Sequence, residues 1–172
     1  LENFTEYGWD ISIACCTPEV KPSPLAMMQG CKVIHPDLRT YELDNALEWD
    51  VIIVVPGGDY SHLINCPFVH SLLTRAKEQG IPIAAWCRGV RVLAHAGIIE
   101  DVQVTGDADF EDEYLAAGAV YLGEDHPPVF SQGIISCAQD KLYRKQMCEL
   151  ICEAVENSAS ARSGKSARDP EV

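Results

Sequence analysis

The residues able to do chemistry fall in three short stretches. The first is "AAWCRGV", where an apolar run ends at Cys87 and Arg88 and Gly89 follow. A cysteine on a sharp strand-to-helix turn, with glycine beside it for close packing, has the form of a nucleophile elbow. At such a turn the sulfur faces the first backbone N–H groups of a helix, which favour a thiolate. Arg88 adds a neighbouring cation. The second stretch is "VVPGGD". Gly57 and Gly58 there offer bare backbone N–H groups of the kind an oxyanion hole needs, and Asp59 is a candidate acid or base. The third is "VTGD", ending in Asp107, a further acid–base candidate. His126, in the loop before Pro127, is offered for the same task, while His35, His62, His70 and His95 read as solvated or structural. A blander reading also fits: free cysteine is among the most buried residue types, so Cys87 could simply fill space between strand and helix. Trp86 likewise suits either a pocket wall or the core.

These stretches need a scaffold that brings strand ends together. "VIIVV" at 51–55 and "IPIAAW" at 81–86 are short continuous apolar runs, which suit strands covered on both faces of a parallel sheet. Residues 67–80 predict a helix, with proline at the start, apolar residues at helical spacing, a basic end and Gly80 as stop signal. Further helices are predicted over 88–96, 110–117 and 141–156. Strands are predicted over 9–15, 31–34, 102–105 and 119–122, and within 127–137, where Gly133 marks a tight turn. Alternating strands and helices give the α/β class with a largely parallel sheet. In open sheets of this class ligands collect at the carboxyl ends of the strands, where both 55–58 and 86–89 lie. One domain is predicted over 1–156. Residues 157–172, small and polar, read as a disordered tail.

Composition narrows the function classes. A formal net charge of -13 repels phosphate backbones and anionic membrane surfaces, so neither nucleic acid nor membrane is an expected partner. No apolar run reaches membrane-spanning length and no signal-peptide pattern is visible, so a cytoplasmic location is expected. The chain carries eight cysteines. Cys15 and Cys16 are adjacent and Cys148 and Cys152 sit one helical turn apart, which does not suggest a disulfide framework. The latter pair lacks the second pair that would make a zinc site. Reduced thiols, no metal and no cofactor are expected.

The chain resembles the ThiJ/PfpI superfamily of DJ-1-like proteins, which shares the class I glutamine amidotransferase-like, flavodoxin-type architecture. The resemblance covers roughly residues 1–156. It rests on "GWDISIA", "WDVIIVVPGG", "IPIAAWCRGVRVLAHAGII" and "VQVTGD", and above all on Ala85, Cys87 and Gly89 downstream of the PGG turn. It implies that Cys87 is the reactive elbow cysteine, and that Gly58 and the backbone N–H of Arg88 line an anion-binding pocket. It also implies a homodimer or higher homo-oligomer. Against that pattern, the first strand and its following helix are expected before Leu1, together with an acidic partner for the cysteine. The chain is therefore expected to be incomplete as a folding unit.

Peptidase-like relatives have histidine where this chain has Arg88. Arginine stays protonated and cannot take a thiol proton, so peptidase chemistry is disfavoured. The expectation is a cysteine enzyme of the ThiJ/PfpI kind that acts on a small electrophile as a hydrolase, a hydratase or a glyoxalase-like catalyst. The alternative is a redox-sensing or stress-protection protein in which Cys87 is oxidised without turnover.

Overall fold

The computed structural model describes residues 2–22, 24–43, 48–55 and 61–166. At its centre β4 (Ile83–Trp86) lies between β3 (Ile52–Val54) and β8 (Ile134–Cys137), parallel to both. β7 (Val129–Ser131) runs antiparallel along the far edge of β8, giving the order β3-β4-β8-β7. The β7–β8 hairpin turns through Gln132 and Gly133, with φ 49° and 83°. Positive φ at both central residues of a two-residue loop matches the right-handed twist of the flanking strands.

Every residue of β4 is buried, and its side chains divide between two faces. Ile83 and Ala85 join the apolar cluster built with α4 (Pro67–Glu78), α5 (Gly89–His95) and Tyr114 of α6 (Glu111–Ala116). Ala84 and Trp86 join the opposite cluster, where α1 (Glu2–Glu6) contributes Phe4 and α7 (Asp140–Ser166) contributes Met147, Cys148 and Ile151. A period of two with both faces apolar is what a strand sandwiched between helix layers requires. The fold is thus an α/β sandwich of the flavodoxin-like type.

α4 starts with Pro67 and stops at Gly80, as its sequence signals predict. Gly80 adopts φ 71°, its N–H bonds the Lys77 carbonyl and the Ile81 N–H reaches back to Ala76. This double bond pattern satisfies carbonyls that the helix end leaves open, and glycine carries the left-handed conformation without a Cβ penalty.

Two further parallel pairs stand outside the four-stranded sheet: β1 (Ala14–Cys15) with β2 (Leu38–Arg39), and β5 (Gln103–Val104) with β6 (Val120–Tyr121). Among the described residues no strand joins β1 to β3. Ser12, Ala14 and Leu38 face Val51, Ile52, Ile53 and Leu72 across an open cleft of about 130 Å³. Two sequence expectations are corrected here. The strand expected over 9–15 shrinks to Ala14–Cys15, and the one over 31–34 to a single Val20–Ile34 bridge. With no described strand beside it on the β3 side, the segment makes other contacts. The Ile13 N–H bonds the Asp37 carboxylate at 2.8 Å, and Trp9 stacks on Phe4 at 4.9 Å.

The expected tail from residue 157 is also corrected, because α7 continues to Ser166. Extending a helix already nucleated by packing is far easier than starting one. The extension is tied down by Ser158 Oγ donating to the Gly80 carbonyl (3.0 Å) and by an ion pair from Arg162 to Asp50 (2.9 Å). Residues 167–172 lie outside the described residues. No helix among the described residues is long and apolar enough to cross a membrane.

α5 approaches β3 so closely that a Cβ on Gly89 would lie 2.7 Å from the Val54 carbonyl oxygen. Gly89→Ala is expected to cost about 1–3 kcal/mol in overpacking, partly offset by alanine's helix preference of about 1 kcal/mol. Urea unfolding checks this: the midpoint should fall with the slope unchanged.

Candidate active site

β4 runs out of the core into Cys87, which stands at the joint with α5. Its φ of 48° is unusual for a non-glycine residue. Such a conformation costs about 1–3 kcal/mol and persists only where its surroundings impose it. Here the Cys87 N–H donates to the Cys137 carbonyl at 2.7 Å, prolonging the β4–β8 ladder by one residue. Gly89 then locks the chain against β3 two residues later. Held from both sides, the half-buried Cys87 turns out of the sheet and into the helix within a single residue.

Asp107 reaches the elbow from a loop that buried polar groups hold in place. The Thr105 N–H bonds Ser136 Oγ at 3.0 Å, Thr105 Oγ1 donates to the Gly123 carbonyl at 2.7 Å, and Tyr121 Oη donates to the Gly106 carbonyl at 2.9 Å. Thr105 and Ser136 are fully buried, so this polar pairing is needed where apolar packing alone would strand both groups. Gly106 leaves room for the Tyr114 hydroxyl, 2.8 Å from where a Cβ would be.

Asp107 uses its two carboxylate oxygens differently. Oδ1 accepts from the Asp109 N–H at 3.1 Å and so opens a short 3-10 turn. Oδ2 accepts from Arg88 Nε at 2.9 Å and lies 3.9 Å from Cys87 Sγ. Partial burial would raise the Asp107 carboxyl, but the Arg88 hydrogen bond, the Asp109 N–H and the charge of Arg88 outweigh it and hold the group below its ordinary value. The site therefore joins a cysteine at a constrained turn to a carboxylate kept ionised by the residue after that cysteine.

Arg88, Cys87 and Asp107, all singled out in the sequence, meet at this point. The Arg88 side chain, which the sequence offered as a cation beside the cysteine, turns to the Asp107 carboxylate. His126 is exposed; its Nδ1 donates to the Pro127 carbonyl at 2.7 Å, and it makes no hydrogen bond or ion pair to Cys87 or Asp107. Gly57, Gly58 and Asp59 lie outside the described residues. Among those that are described, no group of three histidine, cysteine or carboxylate side chains has the arrangement of a metal site.

Sequence reasoning missed a second charged cluster beside the first. Arg91 makes a two-pronged contact with Glu113, through Nε at 2.9 Å and Nη2 at 2.7 Å, and its guanidinium lies 3.8 Å from the Phe110 ring centre. His95 Nε2 is 3.1 Å from the same Glu113 carboxylate. Arg88, Arg91 and His95 recur at helical spacing, so one basic face of α5 could have been read from the sequence. This face clamps α6 and the 3-10 turn onto α5.

A model of the DJ-1/PfpI family matches residues 1–154. The chain belongs to that family. An uncharacterized protein from Archaeoglobus fulgidus is 30% identical over 137 residues, covering 79% of this chain and 76% of its own. The glutathione-independent glyoxalase DJR-1.2 of Caenorhabditis elegans is 29% identical over 102 residues, which is 59% of this chain and 53% of the nematode protein. This chain thus spans about half the length of that glyoxalase. Among solved structures, a ThiJ/PfpI domain protein from Brachyspira murdochii superposes with a TM-score of 0.77 at 18% identity. The match covers 91% of this chain and 85% of the bacterial one, and it establishes the shared DJ-1/PfpI fold.

The Arg91–Glu113 contact gives a pH signature. The hydrogen bond from Arg91 lowers the Glu113 carboxyl below its ordinary 4.5, against a smaller opposing effect of burial. A carboxyl depressed in the folded state adds stability above its unfolded value, and that stability is lost as pH falls through the folded value. Glu113→Gln is therefore expected to lower stability at pH 7 and to flatten its decline below about pH 4.5. Chemical denaturation at stepped pH measures both effects.

Proposed function

We propose that this chain is a cysteine-dependent enzyme acting on a small carbonyl electrophile, with glyoxalase-like conversion of a 2-oxoaldehyde as the leading reaction. The observation that carries this reading is the 3.9 Å approach of Cys87 Sγ to an Asp107 carboxylate whose other contacts fix its position. The glyoxalase activity named for the nematode relative supports it.

In this reading the Cys87 thiol gives up its proton and its sulfur bonds to the aldehyde carbon, forming a hemithioacetal. A proton then leaves that carbon and returns to the neighbouring carbonyl carbon by way of an enediol. The resulting thioester is hydrolysed by water, which releases the 2-hydroxy acid and restores the thiol. The sum is addition of one water to the 2-oxoaldehyde, with no external oxidant or reductant. Asp107, 3.9 Å from the sulfur, is the group assigned to carry the proton. Arg88 keeps it ionised, ready to accept, at some loss of basicity. The backbone N–H groups of Arg88 and Gly58 are assigned to the developing oxyanion. Arg88 cannot replace the histidine base of a cysteine peptidase, so amide hydrolysis is not part of the reading.

Turnover of methylglyoxal to lactate tests it. Cys87→Ser is expected to abolish the reaction, and Asp107→Asn to lower kcat by about 100-fold, in the range of a lost acid–base group. Activity unchanged in Cys87→Ser would overturn the mechanism. If Cys87 instead gained oxygen first under mild peroxide with no turnover of any dicarbonyl, the chain would be a redox sensor.

A further inference from the structure

The Arg88 side chain carries more hydrogen-bond capacity than its contact with Asp107 uses. A guanidinium holds its N–H donors in one planar fork, and Asp107 takes the one on Nε at 2.9 Å. Among the described residues neither Nη group of Arg88 has a hydrogen-bond partner, and neither is buried. The side chain as a whole is 41% exposed. Arg91, the other arginine of this face, is already committed to Glu113 through both Nε and Nη2. Of the two, Arg88 alone keeps both Nη groups open.

Its place relative to the sulfur is fixed. Asp107 Oδ2 accepts from Arg88 Nε and lies 3.9 Å from Cys87 Sγ, so guanidinium and sulfur approach one and the same oxygen. The Phe110 ring centre, 5.4 Å from the guanidinium carbon, adds a second contact. A fork oriented by one carboxylate is pre-organised for another, because its Nη edge matches the two oxygens of a carboxylate. The surrounding field gives no help. Asp107 and Asp109 are the carboxylates whose charge reaches Arg88, and the whole chain carries a net charge of -13. An anion is held here by direct hydrogen bonds or not at all.

We propose that the Nη edge of Arg88 is a carboxylate subsite beside Cys87, so that the electrophile taken by the sulfur carries an anionic end. The nature of the electrophile rests on the carbonyl chemistry proposed above, while the subsite stands without it. A carboxylate about four carbon–carbon bonds from the reacting carbon, at about 1.5 Å per bond, is long enough to join the two groups. The class is thus a short 2-oxoaldehyde with a terminal carboxylate. 4,5-Dioxopentanoate is one such molecule, and the same addition of one water converts it to 2-hydroxyglutarate. Methylglyoxal lacks the carboxylate and reacts without this anchor.

Two reagents of similar size read the subsite without turnover. Iodoacetate and iodoacetamide both alkylate thiolates, and only the first is an anion. After treatment of the full chain, mass spectrometry follows the modified Cys87 peptide. Exposed Cys31 is the internal reference, made stringent by the neighbouring cation Lys32. The iodoacetate-to-iodoacetamide rate ratio should be at least about 10-fold higher at Cys87 than at Cys31, as a charge-assisted hydrogen bond provides. Propionate should slow the reaction of Cys87 with iodoacetate and leave Cys31 unaffected. Arg88→Gln should bring the Cys87 ratio down to that of Cys31. Because the iodoacetamide rate is measured in the same variant, any change in thiol reactivity through Asp107 cancels. Equal ratios at the two cysteines, or a ratio unchanged in Arg88→Gln, would overturn the subsite, as would a Cys87 that neither reagent reaches. Turnover then separates the subsite from the reaction. A kcat/KM for 4,5-dioxopentanoate about 10-fold above that for 2-oxopentanal supports the substrate class, and parity overturns it while the reaction stands. Turnover of neither, with the alkylation ratio intact, overturns the reaction and leaves the subsite.

Discussion

The carbonyl oxygen of Val54 leaves no space for a side chain at position 89, and the geometry of the elbow is built around that contact. Because Gly89 can press against β3, α5 begins almost at once after β4, and of the two residues between them Arg88 is already helical, so that one residue makes the turn. That residue is Cys87, driven to positive φ and fixed by its N–H bond to Cys137. A bulkier residue at 89 would push α5 away from the sheet and relax the turn that presents the sulfur. Packing at the end of β3 and the presentation of Cys87 are thus one constraint seen from two sides.

Electrostatics then adds to apolar packing between elements that share no ladder. β5 and β6 share no ladder with the central sheet. Their connection to it runs through the apolar cluster that Val104 and Tyr121 share with Ile83, Ala85 and Ile134, and through polar groups, the Thr105–Ser136 bond beneath and the Arg88–Asp107 pair above. Arg91, Glu113 and His95 continue the same clamp along α5. In half-exposed positions ion pairs contribute modestly to stability. Their value here is positional, since they fix where Asp107 stands relative to Cys87.

The parts of the fold legible in the sequence are those whose neighbours are written locally. β4 is apolar at every position because both its faces are covered, and Pro67 and Gly80 mark the ends of α4. The hairpin at Gln132–Gly133 needs only two residues to specify it. Residues 9–13 look equally strand-like, yet a strand is a relation between chains of backbone, and no described strand lies on the β3 side to complete the ladder. The continuation of α7 was hidden for the opposite reason. Its small polar residues carry no amphipathic signal, and what holds them is a pair of distant contacts to Gly80 and Asp50. At the site, the residue types were readable from the elbow pattern, whereas the Arg88–Asp107 contact joins positions whose meeting depends on the whole sandwich.

The separation of β1–β2 from the central sheet also divides the molecule's motions. Backbone amides of β4 and β8 lie between two apolar layers, so solvent deuterium reaches them only when the sandwich itself comes apart. Ala14 and Cys15 are held by one short ladder beside an open cleft, and a local opening that leaves both cores intact is enough to expose them. Two protection classes follow within one sheet-like layer. The vicinal thiols belong to the quickly opening one, while Cys137, fully buried on β8, belongs to the slow one.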